Sequence, residues 1–498
     1  MLGQIRRLGT ETAIYGVSTV VGRFLTFLLT PLYAHLLVPA DLGVVATLYA
    51  YIAFLNVLYH YGMDVAYMKY VSTLELGTRR DVFSVPFISV TGSSLLFSAA
   101  IWFSSDAIAV ATGAGAAHGS LVRYSALILF LDAISHVPFA VLRMDRKAKQ
   151  FAFIRVAGIV VNVLCVVWFL VVLEMEMDGI FLAGAIASSF VVLLLLPTVL
   201  INFAPSWSGP LFRALISYGL PTLPAGLAAI ALQVIDRPIL EALTDAATVG
   251  IYQANYRLGI FMMLIVSMFE FAWRPFFFSA GNEASSKEMF ARVLTYLLLA
   301  MTGLFLFLTF FLEGLIKTPF LFGYSVLPDS YWGGYGVVPL VLIGYMFLGI
   351  STVFSAGLYL EKKTALLPVV TIGGAAVNIA SNFFLIPAFG MNGAGIATLL
   401  SYAVMAILMF AFSQRVSPVR YEWGRISLIV LVGSVTYVAG LFVSPPIPPA
   451  IWHTGLLFMA LVLLRLLRFF DPSELKAMRS IFNRQPKQEP PDLPISEG

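Results

Sequence analysis

The chain has 498 residues, of which 60% are hydrophobic and only 11% are charged, with a formal net charge of +4. A soluble protein keeps about 25% charged residues to cover its surface, so this composition excludes an ordinary water-soluble protein. The apolar runs reach about 20 residues, the length of a membrane-spanning helix and about twice that of a barrel strand. The sequence therefore predicts an all-α polytopic membrane protein.

About fourteen apolar segments follow one another along the chain, and each predicts one transmembrane helix. The first segment follows two arginines, but it is too long for a signal peptide and no small-residue cleavage site closes it. The predicted segments lie at 10–36, 42–70, 82–104, 119–142, 151–173, 178–202, 212–235, 246–278, 289–312, 335–360, 364–387, 391–414, 423–443 and 450–468.

The distribution of charge along the chain predicts its orientation. If the N-terminus is cytoplasmic and the chain crosses fourteen times, most lysines and arginines fall in cytoplasmic loops, as the positive-inside rule requires. The opposite loops are mainly acidic. Both termini are therefore predicted to be cytoplasmic. The polar, proline-rich segment 471–498 is predicted to be a disordered cytoplasmic tail.

Two sequence echoes separated by about six segments indicate an internal repeat. Asp41-Leu42-Gly43 opens the second segment much as Thr248-Val249-Gly250 opens the eighth. Met177-Asp178-Gly179 likewise matches Met391-Asn392-Gly393. Transporters are often built from such repeats, with the substrate path between them. We therefore predict two six-helix lobes, 1–203 and 204–416, followed by two additional helices at 417–470.

Three stretches of this chain resemble the polysaccharide flippases of the multidrug/oligosaccharidyl-lipid/polysaccharide exporter superfamily, the Wzx-like group. They are TPLYAHLLVPADLGVVATLYAYIAFLNVLYHYGMDVAYMKY at 30–70, IDRPIL with VGIYQANYRL at 235–258, and VNIASNFFLIPAFGMNGAGIATLLSY at 377–402. The resemblance covers about residues 10–470. It implies two six-helix lobes around a central cavity, often with two extra C-terminal helices.

The same resemblance implies a function. Such proteins move polyprenyl-pyrophosphate-linked oligosaccharides from the inner to the outer leaflet of the bacterial inner membrane by alternating access. The product serves O-antigen, capsule or exopolysaccharide synthesis, so the expected partners are the lipid-linked oligosaccharide, the bilayer, a polysaccharide polymerase and glycosyltransferases. In the similar lipid II flippases, a second arginine lies further along the first helix. Leu28-Leu29-Thr30 stands there in this chain, which argues against a lipid II cargo.

Arginines inside the predicted spans are candidates for substrate binding, because a charge at mid-bilayer usually faces water or a partner. Arg23 can pair with Asp64 of the second span, or it can bind a pyrophosphate or sugar-acid group through its fork of donors. Asp64 is also a candidate for substrate binding. The resemblance places Arg257 in the cavity. Arg155 lies near a span end and is predicted to extend to the membrane surface. In contrast, Asp236-Arg237 is predicted to be a hydrated pair at the outer rim.

Other polar residues in the spans are candidates for coupling, gating or sugar contact. Asp132 and His136 lie four residues apart, so they can carry a coupling proton or form a contact between helices. Glu270 and Arg274 also lie four apart and form a predicted gate or surface pair. Asn378 can touch sugar hydroxyls or bridge two helices, and bridging is commoner.

Enzyme motifs are missing from the sequence. Neither GxxxxGK[ST], HExxH nor GxSxG occurs, and the single cysteine, Cys165, lies in an apolar segment. No catalytic residue, cofactor, metal site or nucleic-acid partner is predicted. Two alternatives remain open: a drug or cation antiporter of the same superfamily, and a membrane glycosyltransferase or ligase.

Overall fold

The computed structural model describes residues 2–281, 283–319, 323, 325–443, 445–470 and 474, with the backbone alone at 2–15, 17–19, 116 and 284. All regular secondary structure in this part of the chain is helical. The helices of its first two-fifths are α1 (Leu2–Leu36), α2 (Pro39–His60), α3 (Met63–Thr73), α4 (Arg79–Phe103), α5 (Ser105–Ala111), α6 (Gly119–Met144), α7 (Ala148–Val167) and α8 (Glu176–Asn202).

The rest of the described chain continues in the same way. The predicted tail at 471–498 lies outside the described residues, apart from Glu474. The remaining helices are α9 (Gly209–Gly219), α10 (Leu223–Val234), α11 (Asp236–Leu243), α12 (Ala246–Tyr256), α13 (Ile260–Ala280), α14 (Ala284–Lys317), α15 (Val337–Leu360), α16 (Leu366–Phe389), α17 (Met391–Val416), α18 (Trp423–Phe442) and α19 (Pro449–Leu466).

The helices account for the predicted membrane spans. Within the described residues, 13 helical stretches are long and apolar enough to cross a bilayer. A shorter apolar stretch, Val20–Leu36, corresponds to the first predicted span. The prediction of an all-α polytopic membrane protein with about fourteen transmembrane helices is therefore confirmed.

Three spans in the described part of the chain are interrupted, and two of these interruptions have a visible local cause. The second span breaks between α2 and α3, where Tyr61 and Gly62 have φ angles of 31° and 75°. The seventh passes through a 3-10 turn at Leu220–Thr222, next to two prolines that cannot donate backbone hydrogen bonds. The eighth has a 3-10 turn at Arg257–Gly259. Broken helices are tolerated at membrane depth where protein or a water-filled cavity surrounds them.

Helix packing follows the order of the chain in part. Within the first eight helices, α6 packs against α4 and α8, and α7 packs against α1 and α8. Further along, α15 and α16 both pack against α17, while α18 and α19 pack on each other and on α14. The lobe boundaries at 203 and 416 stay predictions.

The closest backbone approach between α2 and α12 depends on two glycines. A Cβ atom added to Gly43 would lie 1.7 Å from the carbonyl oxygen of Ala246, and one added to Gly250 would lie 1.9 Å from that of Pro39. Each glycine thus contacts the residue four positions before the other, so the contact is reciprocal. Small residues at this spacing let two helices approach closely in a membrane. The two glycines that head the predicted repeats therefore meet each other.

Candidate functional site

A cavity lies where α1, α2, α6, α7, α11 and α12 come together, with charged groups set in a largely apolar lining. It has two adjoining chambers of about 760 and 750 Å³. We call it the arginine cavity, because five of the described residues that line it are arginines and one, Asp132, is an acid. The two chambers adjoin, since they share the lining residues Thr26, Arg143, Arg155, Ile159, Arg237, Gln253 and Arg257.

Arg23 and Arg257 line the cavity and contact hydroxyl groups. The Nη1 atom of Arg23 donates to Ser267 Oγ at 2.7 Å, and that of Arg257 donates to Thr30 Oγ1 at 3.3 Å. Neither guanidinium has a carboxylate oxygen within 4.0 Å among the described residues. The predicted pairing of Arg23 with Asp64 is wrong: the Oδ1 atom of Asp64 lies 3.4 Å from His60 Nδ1.

Arg143 and Arg155 approach the cavity from α6 and α7 and lie against aromatic rings. The Arg155 guanidinium carbon is 5.2 Å from the ring centre of Phe139, and that of Arg143 is 5.3 Å from the ring centre of Phe151. These are cation–π distances, which hold the two guanidinium groups without neutralising their charge. Arg155 therefore contributes to the cavity wall while it remains exposed, and its extension to the membrane surface stays a prediction.

Asp236 and Arg237 form a buried pair, so the prediction of a hydrated rim feature is wrong. Their exposed fractions are 3% and 5%. Arg237 Nη1 donates to Asp236 Oδ1 at 2.6 Å, and its Nε donates to Gln253 Oε1 at 2.9 Å. The Tyr252 hydroxyl donates to the second Asp236 oxygen. Pro238 does not end a helix here but lies in the first turn of α11, where a missing N–H is tolerated.

The environment of Arg237 keeps its charge. Burial alone would lower the pKa of this guanidinium, but the Asp236 carboxylate and the neighbouring tyrosines hold the pKa above its usual range. The guanidinium carbon also lies 4.3 Å from the ring centre of Tyr256. Arg237 is thus the one cavity arginine, among the described residues, that forms a salt bridge.

Asp132 and His136 are joined through a third side chain that the sequence did not indicate. His136 Nε2 lies 2.9 Å from Asn56 Oδ1, and Asn56 Nδ2 donates to Asp132 Oδ2 at 3.4 Å. Ser188 donates to the other Asp132 oxygen at 2.7 Å. Asn56, Asp132 and His136 all line the arginine cavity. The two predicted coupling residues are therefore connected by hydrogen bonds.

The other predicted site residues lie away from the cavity lining. Glu270 and Arg274 form an i,i+4 ion pair at 2.5 Å, with 41% and 55% of their side chains exposed. Asn378 is buried, and its Nδ2 atom donates to Ser401 Oγ at 3.2 Å, which bridges α16 to α17. Asn382 donates to Asn378 in turn. The structure therefore places Asn378 in a helix interface.

Sequence reasoning missed several members of the cavity. The charge pattern of the sequence predicts Arg143 in a cytoplasmic loop and Arg237 at the outer rim. Only Gln253 carried a local signal, since it precedes Arg257 by four residues and so shares its helix face. The positions of Arg143 and Asn56 depend on contacts between distant helices, which helical periodicity does not report.

The fold and the cavity together define a polytopic, all-helical membrane protein with a cationic central cavity. Residues 32–325 match the family described as "Polysaccharide biosynthesis protein", which is more than half of the chain. The chain belongs to this family.

Individual relatives are distant. The chain is 22% identical over 468 residues to an uncharacterised membrane protein of Methanocaldococcus jannaschii, covering 87% of this chain and 90% of the relative. Among solved structures, the lipid II flippase MurJ in an inward closed conformation matches with a TM-score of 0.69 and 14% identity, over 94% of this chain and 100% of MurJ. An inward-facing MATE-family multidrug transporter of the MOP superfamily matches at 0.63 and 15%, over 82% and 96%. At these identities the likeness is one of fold.

Proposed function

We propose that this protein is a flippase that moves a polyprenyl-pyrophosphate-linked oligosaccharide from the inner to the outer leaflet for surface polysaccharide synthesis. The observation that carries the proposal is the arginine cavity, in which four of five guanidinium groups form no salt bridge within 4.0 Å among the described residues. Membership of a polysaccharide biosynthesis family supports the same class of cargo.

The charge of the cavity favours an anionic cargo. Guanidinium groups gathered in a site of low dielectric repel one another, so an anion between them relieves that repulsion. A pyrophosphate offers acceptor oxygens in the geometry that guanidinium forks bind in pairs. Arg23 and Arg257 reach the cavity from different helices, which allows them to hold a phosphate from two directions.

The size and lining of the cavity suit a sugar-bearing head group. Each chamber has a volume typical of a small-molecule site, and Gln253, Asn56 and Tyr256 offer groups that hydrogen-bond hydroxyls. The prenyl tail would stay in the bilayer between the predicted lobes. Movement of the lobes by alternating access would carry the head group across the membrane. The contact between α2 and α12, at the predicted outer end, would open and close during this movement.

Two further roles belong to this proposal. Asp132 and His136, joined through Asn56, are candidates for coupling transport to an ion gradient. Glu270 and Arg274 are candidates for a gate at the cytoplasmic end of α13. With its N-terminus in the cytoplasm of a bacterial cell, the flippase would receive its cargo from glycosyltransferases and supply a polysaccharide polymerase. The glycan could belong to an O-antigen, a capsule or an exopolysaccharide.

The alternatives fit the cavity less well. A drug or cation antiporter needs acidic groups for an organic cation, whereas the arginines of this cavity outnumber its acids. A glycosyltransferase or ligase needs a site that activates a sugar acceptor. Asp132, the acid that lines the cavity in the described residues, is already bonded to Ser188 and Asn56.

The direct test is flipping by the purified protein in proteoliposomes. A fluorescent polyprenyl-pyrophosphate oligosaccharide is incorporated, and an impermeant reductant bleaches the outer leaflet. Wild-type protein is expected to expose the whole lipid pool. Uptake of a cationic dye in the same vesicles tests the antiporter alternative. Complementation of flippase-deficient strains with different surface glycans then identifies the glycan class.

Arg23→Ala and Arg257→Ala are the informative variants, with Arg123→Ala as the matched control. Arg123 lies outside the cavity lining and pairs with Asp106 at 3.2 Å with 44% of its side chain exposed. We expect the two cavity variants to slow flipping while the control leaves it unchanged. Normal flipping by both cavity variants, at normal protein levels, would overturn the proposal.

A further inference from the structure

Three side chains outside the arginine set form a compact cluster on the cavity side of the first helices. His60 is the last residue of α2, Asp64 lies in the first turn of α3, and His136 belongs to α6. Their potential ligand atoms all lie within 4.8 Å of one another. Within the part of the chain that the structure describes, this is the one group of three histidine, cysteine or acidic residues that meets this distance.

The break in the second span creates the cluster. At Tyr61 and Gly62 the backbone is left-handed, with φ angles of 31° and 75°. Across this break His60 Nδ1 and Asp64 Oδ1 lie 3.4 Å apart. The ring of His60 stacks on the ring of His136 with 4.3 Å between their centres. Two imidazoles and a carboxylate from two different spans therefore meet at one point.

Hydrogen bonds around His136 leave one of its nitrogens free for a metal. Asn56 Nδ2 faces the Asp132 carboxylate, which only accepts, so Asn56 Oδ1 must face His136. His136 Nε2 therefore carries the proton and donates it to Asn56, and Nδ1 keeps its lone pair. Histidines that bind metals usually donate their other ring N–H to such a partner, which fixes the ring and its tautomer.

One oxygen of the Asp64 carboxylate is incompletely satisfied. Asp64 Oδ1 is buried and forms no complete hydrogen bond among the described residues, although it lies 3.4 Å from His60 Nδ1. Only 14% of its side chain is exposed. A buried carboxylate oxygen without a complete hydrogen bond is stabilised by a cation. His60 and His136 line the cavity, so an ion held between them would face its interior on one side.

We propose that His60, Asp64 and His136 bind a divalent transition-metal ion such as Zn²⁺, with one coordination position open to the cavity. Two imidazoles and one carboxylate suit Zn²⁺, Co²⁺ or Ni²⁺, whereas Mg²⁺ and Ca²⁺ prefer oxygen ligands. A tetrahedral ion requires ligand atoms about 3.4 Å apart, so side-chain rotations of roughly 1 Å would close the site. This inference does not depend on the flippase proposal, because the metal alone tests it.

The test is Co²⁺ binding to the full-length protein in nanodiscs, purified through a tag without histidines. Four-coordinate Co²⁺ absorbs visibly, and Zn²⁺ should displace it. We expect one Co²⁺ per chain. His60→Gln and His136→Gln should each weaken binding at least about tenfold, because losing a ligand has at least the effect of losing an outer-shell partner. His453→Gln is the matched control, because the ring of His453 lies in α19 and stacks on Phe310 of α14, and this variant should bind as wild type does.

A ligand exchange keeps the test valid if a glutamine variant folds poorly. His60→Cys is expected to bind Co²⁺ and to add a thiolate-to-cobalt band in the near ultraviolet. Wild type, which has only Cys165, should lack this band. The proposal is overturned if wild type binds no Co²⁺ or Zn²⁺ stoichiometrically. It is also overturned if monodisperse His60→Gln and His136→Gln bind like wild type, or if His60→Cys binds without the thiolate band.

Discussion

Two kinds of arginine line the same cavity, and their partners differ. Arg237 is bonded to Asp236 and Gln253 and lies over Tyr256, so its charge is matched within the protein. Among the described residues, Arg23 and Arg257 donate only to the neutral hydroxyls of Ser267 and Thr30. The first arrangement fixes helices to one another, and the second leaves positive charge available to a cargo. The position of an arginine in the cavity is therefore insufficient to assign its function. The groups to which the arginine is bonded distinguish a structural role from a role in binding cargo.

The largest effect should follow from unpairing Arg237. Asp236→Ala removes the carboxylate and leaves a buried guanidinium without its counter-charge, which costs about 3–5 kcal/mol in comparable sites. We expect a pronounced fall in thermal unfolding temperature in detergent. Adding Arg237→Met should recover much of the loss, because the unmatched charge is then gone.

Asp106→Ala is the matched control for that measurement. Asp106 pairs with an exposed Arg123 at 3.2 Å, and surface pairs contribute about 0–1 kcal/mol. Equal stability of Asp236→Ala and Asp106→Ala would mean that the buried pair has no structural role, and the contrast between the two kinds of arginine would be lost.

Replacing Arg23 or Arg257 by alanine should slow flipping but leave the stability of the protein almost unchanged, the opposite of the effect expected for Asp236→Ala. A hydrogen bond to a charged group contributes about 1.5–3 kcal/mol, so each alanine variant should slow flipping roughly 10- to 100-fold. The unfolding temperature should change little, because each removes a bond to a hydroxyl group that the cavity can hydrate. The measurement is the initial flipping rate per folded molecule. A lysine at either position should restore part of the rate, because it keeps the charge without the fork of donors.

Asn378→Ala extends the comparison to an uncharged polar group. Asn378 is buried between α16 and α17 and bonded to Ser401, and hydrogen bonds between membrane helices contribute about 0.6 kcal/mol on average. We expect a small fall in unfolding temperature and an unchanged flipping rate per folded molecule. A lower flipping rate at unchanged stability would instead support the predicted contact with the cargo.

The sequence predicted the spans well because their signal is local. The hydrophobicity of each segment depends only on its own residues, so about fourteen transmembrane helices could be predicted without knowing how they pack. The sequence also indicates Arg23 as a candidate site residue, because an arginine far inside an apolar segment needs a partner or water. The breaks at Tyr61 and Leu220 were not predicted, because hydropathy does not register backbone φ angles.

The cavity was harder to predict than the spans. The sequence misplaces Asp236-Arg237 at the rim, because a proline directly after the pair suggests a helix end, whereas Pro238 lies in the first turn of α11 and the pair is buried. Arg143 and Asn56 join the site through helices distant in sequence. Charge patterning assigns a residue to a side of the membrane. It does not say which side chains share a cavity, since this depends on helix rotation and crossing.

The smallest effect on stability is expected at Glu270 and Arg274. Both side chains are largely exposed, and an i,i+4 pair on a helix surface contributes about 0.3–0.5 kcal/mol. Glu270→Gln should therefore leave the unfolding temperature almost unchanged. The flipping rate separates the two hypotheses for this pair, because a snorkelling pair is dispensable whereas a gate is not. A slower rate at unchanged stability, restored by exchanging the two residues as Glu270→Arg with Arg274→Glu, would identify the pair itself as the moving contact.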